Sequence, residues 1–197
     1  MTTPPRWFTD TKEGHSQWYI ERFRTMAADG ADLDGEARLI DAMVPIGSRI
    51  LDAGCGPGRV GGELHLRGHR VVGVDVDPEL LAAAEADHPG PRYLVGDLST
   101  LEIDEDPFDI VVCAGNVMVF VAAGSEGDVL RRLAEHVRPG GRMVFGFRRS
   151  EEYPYESFDA DIAAAGLTLD QRFGTWELDP FTDESDFAVS VLRVPNA

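Results

Sequence analysis

Lysine is almost missing from this 197-residue chain: Lys12 is the only one, and 18 basic residues face 35 acidic ones, for a formal net charge of −17. Such an excess repels phosphate backbones and anionic membranes, so nucleic acid and lipid surfaces are set aside as partners. Cysteine is scarce as well: Cys55 and Cys113 are too few for a disulfide framework. No run approaches the ~20 apolar residues of a membrane span. The opening Met1-Thr2-Thr3-Pro4-Pro5-Arg6-Trp7 lacks the apolar stretch of a secretion signal, and no internal repeat or low-complexity stretch is visible. The expectation is a cytoplasmic, soluble protein, a monomer or homodimer, with one domain (1–197) long enough to bury a proper core.

What the chain does have is a βαβ rhythm. Trp18, Tyr19, Phe23 and Met26 recur at helical spacing, predicting a helix over 12–28. The acidic stretch 32–36 then starts a second helix that stops before Pro45; 12–45 reads as a pair of cap helices. Strands are predicted at 49–53, 70–75, 92–95 and 108–114, the last an almost unbroken apolar run of the kind a strand buried on both faces shows. Helices fall between them at 58–67 and 78–88, with Pro78 suited to a first helical position. A helix over 127–137 leads into the turn Arg138-Pro139-Gly140-Gly141, and a strand follows over 142–147. Beyond it come a helix near 157–165, closed by Gly166, and strands over 167–177 and 187–194. Alternating strands and helices predict an α/β doubly wound, mostly parallel sheet.

Chemistry gathers where ligands bind in such sheets, outside the carboxyl ends of the strands. The first strand ends as Ile50-Leu51-Asp52-Ala53-Gly54-Cys55-Gly56-Pro57-Gly58, where alternate glycines let backbone approach a ligand closely. Gly56, Gly58 and Gly61 also spell a Gly-x-Gly-x-x-Gly, which by itself fits a dinucleotide enzyme. Asp75 ends the second strand, 21 residues after Gly54, where an acid takes ribose hydroxyls in either case. Asp52 separates the two readings, because it sets negative charge where a pyrophosphate would lie. Pro57 also deprives the turn of an N–H, and the chain has no room for a second nucleotide half plus a substrate domain.

The segment Asp52–Gly58 resembles the first motif of the class I S-adenosylmethionine-dependent methyltransferases. Tyr93-Leu94-Val95-Gly96-Asp97-Leu98, Phe108-Asp109-Ile110-Val111-Val112-Cys113 and Arg138-Pro139-Gly140-Gly141 resemble later motifs of that family, in its order and spacing. The resemblance covers 48–147, a cofactor-binding half, and leaves 148–197 for the substrate side and a final hairpin. It implies a seven-stranded sheet whose last strand is antiparallel, with the N-terminal helices as a cap. The implied reaction is methyl transfer to a small molecule by in-line displacement, with S-adenosylmethionine as cofactor, S-adenosylhomocysteine as product and no metal. It further implies a site of Asp52, Ala53, Gly54, Cys55 and Gly56 from the first turn, and Asp75 and Val76 at the ribose. Asp97 would take the adenine amine and Leu98 pack on the ring. Ala114, Gly115 and Asn116 follow the fourth strand, and Tyr19 would reach the cofactor from the cap.

The substrate side is less determined. His15 is a candidate base or a solvated histidine. Asn116 either faces substrate or ties down its loop. Arg148, with Arg149, either grips a substrate carboxylate or pairs at the surface. Met118 and Phe120 suit an apolar pocket or the core, and Trp18 and Tyr19 suit ligand contact or helix packing. The segment 116–120 lacks the Asn-Pro-Pro-Tyr pattern of enzymes that methylate DNA bases or protein amides. His65 and His69, four apart, have no accompanying carboxylate or cysteine cluster and read as solvated rather than metal-binding. Two rivals remain: a nucleotide-binding (NAD-type) oxidoreductase and a non-catalytic module that binds S-adenosylmethionine.

Overall fold

The computed structural model describes residues 3–196. Five strands alternate with helices: β1 (Arg49–Ala53), β2 (Arg70–Asp75), β3 (Arg92–Val95), β4 (Phe108–Cys113) and β5 (Val137–Arg148). With β6 (Thr168–Phe173) and β7 (Phe187–Arg193) they form one seven-stranded sheet in the order β3-β2-β1-β4-β5-β7-β6. Pairing is parallel from β3 to β5. It is antiparallel where β7 lies between β5 and β6.

The central parallel strands β1, β2, β4 and β5 carry apolar runs because each serves two cores. In β1, Leu51 and Ala53 face one side while Ile50 faces the other; in β4, Val111 and Cys113 oppose Ile110 and Val112. The first side is packed by α6 (Val117–Phe120), α7 (Glu126–Glu135) and α8 (Tyr155–Ala164). The second is packed by α3 (Gly35–Met43) and α4 (Arg59–Leu66). A third cluster joins Ile20 of α2 (His15–Ala28) to Leu80 and Ala83 of α5 (Pro78–Asp87), with Trp7 of α1 (Arg6–Thr9) against it.

Two departures from the sequence reading matter. Residues 138–141 are not a turn ahead of the fifth strand but part of it. The register with β4 shifts between Phe108 and Ile110, and Gly140, at φ +71°, takes up the irregularity as bulge glycines do. The loop after β4 contains the extra short helix α6. Its entry, Asn116, holds a left-handed φ of 67°, which asparagine tolerates better than most residues. Among the described residues, no helix is long and apolar enough to cross a membrane.

Candidate functional site

Strand order reverses between β1 and β4, and the glycine turn sits at that reversal. Gly54 adopts φ +78°, and a Cβ there would lie 2.4 Å from Cγ2 of Val117, so the turn can pass under α6 only as glycine. The backbone donors of the turn are all engaged. Gly54 N and Cys55 N donate to Val74 O at 2.7 and 3.0 Å, and Gly58 N donates to Cys55 O at 3.0 Å. Gly56 N donates to Asp75 Oδ2 at 2.8 Å, and Pro57 has no N–H to offer. A phosphate cradle needs free N–H groups at this place, and this turn has none.

Asp52 reinforces that exclusion. Its side chain is buried, with Oδ2 meeting no hydrogen-bond partner and lying 2.9 Å from where a Cβ on Gly61 would be. The protein's own carboxylate thus occupies the first turn of α4, where a helix dipole attracts an anion. Burial pushes its pKa up to about 7, tempered by the Gly61 N–H and the charge of Arg59. Asp75 is raised to about 6, again by burial, against the backbone N–H groups of Asp77 and Gly56. Those two donors, at 3.0 and 2.8 Å, meet one oxygen each, and a carboxylate has capacity to accept further hydrogen bonds.

Three adjoining cavities open here. The first encloses about 610 Å³, its open mouth included, and is lined by Gly54, Gly56, Asp75, Val76, Asp97, Leu98, Ala114 and Gly115 together with Tyr19. Asp97 fixes its own loop, its Oδ1 accepting from Ser99 N and Ser99 Oγ at 2.9 and 2.7 Å. A smaller cavity beside it holds Asp52, Cys55 and Arg59. The third, under α2 and α3, is walled by Trp7, His15, Trp18, Phe23 and Phe120, with Asn116 at its edge. Tyr19 borders all three, and burial raises its pKa in spite of the neighbouring charges of Arg59 and Arg22. Ala53 ends β1 fully buried and lines none of these cavities.

The substrate-side candidates separate clearly. The half-buried His15 lies 4.8 Å from Trp7 and 5.2 Å from Trp18, centroid to centroid. Trp18 is 55% exposed and so is no core residue. Asn116 ties its loop down, Oδ1 accepting from Arg148 N at 2.8 Å. The Arg148 side chain turns to the surface and pairs with Asp186 at 3.1 Å, and Arg149 lies over the Tyr155 ring. Met118 is core, whereas Phe120 lines both larger cavities. Cys55 sits over Gly73 and Cys113 in the core, both as free, buried thiols whose pKa burial raises. His69, read above as solvated, is instead buried, its Nε2 3.0 Å from Asp41 Oδ1. Residue spacing cannot show that α3 covers it.

Sequence reasoning missed three contributors. Trp7, on a helix too short to show periodicity, walls two cavities and donates Nε1–H to Asp77 Oδ2 at 2.8 Å. Val117 of α6 closes the first cavity beside Phe120, which the sequence had already offered for an apolar pocket. Arg59, immediately after the glycine turn, makes a two-pronged pair with Glu36 at 2.5 and 2.8 Å and also donates to Leu33 O, joining α3 to α4. Its place next to the motif was the one signal available.

Residues 50–141 match a family model described as a methyltransferase domain. A solved TehB-like SAM-dependent methyltransferase from Corynebacterium glutamicum is 44% identical and superposes with a TM-score of 0.87, over 92% of this chain and 98% of that one. A malonyl-[acyl-carrier protein] O-methyltransferase from Pseudescherichia vulneris is 25% identical over 73% of this chain and 61% of its own length. A ubiquinone biosynthesis O-methyltransferase from Aeromonas salmonicida is 29% identical over 63% of this chain and 58% of its own length. The chain thus spans less than two thirds of these two curated relatives.

Proposed function

Because the chain belongs to the class I S-adenosylmethionine-dependent methyltransferases, we propose that it transfers the methyl group of S-adenosylmethionine to a small-molecule acceptor. The observation that carries the cofactor assignment is Asp52. A buried carboxylate with an unmet oxygen, beside a turn without free N–H groups, suits a ligand bearing an ammonium and a sulfonium and opposes a pyrophosphate.

The donor set fits the rest of that ligand. Asp75 accepts from the ribose hydroxyls through its remaining capacity, Asp97 and Leu98 receive the adenine, and Asp52 and Tyr19 meet the methionine end. The remaining lining, Gly54, Gly56, Val76, Ala114 and Gly115, gives close backbone approach and apolar cover. When bound, S-adenosylmethionine supplies an activated methyl for in-line displacement and leaves as S-adenosylhomocysteine. The protein's part is to hold the two reactants in line and keep water out. Trp7, Phe120 and Tyr19, the wall between the two larger cavities, do the second. Where the acceptor arrives protonated, His15 is the base within the aromatic cavity that can take its proton.

The proposal extends to a single domain working without metal on a small molecule rather than nucleic acid, in the cytoplasm, as a monomer or homodimer. Calorimetric titration tests the core of it: S-adenosylmethionine and S-adenosylhomocysteine bind in the micromolar range and NAD does not. Asp75→Ala loses that binding with its circular dichroism spectrum intact. Binding of NAD alone would move the protein to the oxidoreductases. Cofactor binding without turnover on any acceptor would leave a binding module.

A further inference from the structure

The aromatic cavity under α2 and α3 carries an unbalanced charge. Its two acids are neutralised: Asp32 by a two-pronged pair with Arg38 at 2.7 and 2.8 Å and Glu36 by Arg59. Arg22, also in the lining, is exposed and bonded to neither acid, and among the described residues no carboxylate lies within ion-pair distance of it. In a protein with 35 acids to 18 bases, an arginine left free at a cavity mouth is a departure from the general charge balance. Its guanidinium carbon stands 5.7 Å from the ring centroids of both Trp18 and Phe23, and among the described residues its N–H groups meet no acceptor.

Rings alone would also suit a cationic acceptor. Here Arg22 already covers Trp18 and Phe23, and Arg59 stands a further 5.3 Å from the Phe23 centroid. A second cation would meet like charge. An acid would instead complete the guanidinium's unmet donors in the bidentate way arginine favours, with a flat body among Trp7, His15 and Phe120.

We propose that this cavity is the acceptor site and that it selects a flat, unsaturated carboxylic acid whose carboxylate is held by Arg22. The inference rests on the methyltransferase reading, since the cavity shares Trp7, Tyr19, Gly115 and Phe120 with the proposed cofactor site. Arg22 acts by binding; the methyl goes to a lone pair elsewhere on the acid, and any proton displaced there passes to His15 or water.

The test titrates protein saturated with S-adenosylhomocysteine against three probes of one shape: 4-hydroxybenzoate, its neutral amide and the cationic tyramine. The acid is expected to bind about tenfold tighter than the amide, the worth of a charge-assisted hydrogen bond at a partly exposed site, and tyramine weakest. The indole N–H resonance of Trp18 should move with the acid. Arg22→Gln should abolish the preference for acid over amide while S-adenosylhomocysteine affinity stays at the parent value, and Arg22→Lys should keep part of the preference. Equal binding of acid and amide, tighter binding of tyramine, no binding of 4-hydroxybenzoate, or an unchanged preference in Arg22→Gln would each overturn the proposal. Failure of S-adenosylhomocysteine to bind the parent protein is a separate result, and it overturns the underlying methyltransferase reading instead.

Discussion

Asp52 is the residue on which stability and ligand choice meet. Its folded pKa of about 7 lies above the ~3.9 of an unfolded aspartate, so the folded chain keeps a proton that the unfolded chain gives up between those values. Its contribution to stability is therefore full below about pH 4 and is lost as pH rises through 7. Asp75 shifts the same way, to about 6. Asp52→Asn cannot ionise, so its melting temperature should gain on the parent's as pH goes from 5 to 8.5, with Asp75 cancelling from the comparison. A constant difference across that range would mean that the carboxylate is already ionised in the folded chain at pH 5, as it is in the unfolded one. A cationic ligand reverses the penalty, and this is why the unmet oxygen argues for a ligand rather than against the fold.

At the scale of elements, Asp77 is the knot of the cap. Its Oδ1 caps α5 by accepting from Glu79 N at 2.8 Å. Its Oδ2 accepts from Trp7 Nε1 and Ser16 Oγ at 2.8 and 2.5 Å, gathering α1 and α2 onto α5. Asp77→Ala should destabilise by roughly 2 kcal/mol, the upper range for an N-cap, with two further donors orphaned. Hydrogen exchange should quicken over residues 6–9 and 15–20 more than in β1 or β4; uniform quickening would mean a global loss of stability, with no particular hold of Asp77 on α1 and α2. The same comparison of elements shows what was legible in the sequence. The bounds of β1, β2 and β3 could be read off because apolar runs end in acid or glycine at the sheet edge. Together with Ala114 and Gly115 after β4, those edge residues supply more than half of the lining of the first cavity. Helices α1 and α6 have four residues each, too few for a period to register. Trp7, Arg22 and Arg59 reach the cavities through helix packing, and no local pattern encodes that.

At the scale of the molecule, charge is the main variable. Most arginines here sit in exposed or half-exposed pairs, which contribute little each, while the excess of 17 negative charges repels itself throughout. Raising sodium chloride from 10 to 300 mM should accordingly raise the melting temperature, because screening removes more repulsion than attraction. A fall would show that the pairs around Arg59, Arg49 and Arg172 outweigh the net charge. The topology has a further effect, on biosynthesis. Residues 187–193 form the last strand of this sheet to leave the ribosome, yet they fill the gap between β5 and β6. Until then β5 is an open, apolar edge. The 45 positions from Arg148 to Arg193 take roughly 2–9 s to synthesise at 5–20 residues per second. During that interval the nascent chain presents an unpaired strand to its neighbours, which makes it a client for a chaperone at a definable moment of translation.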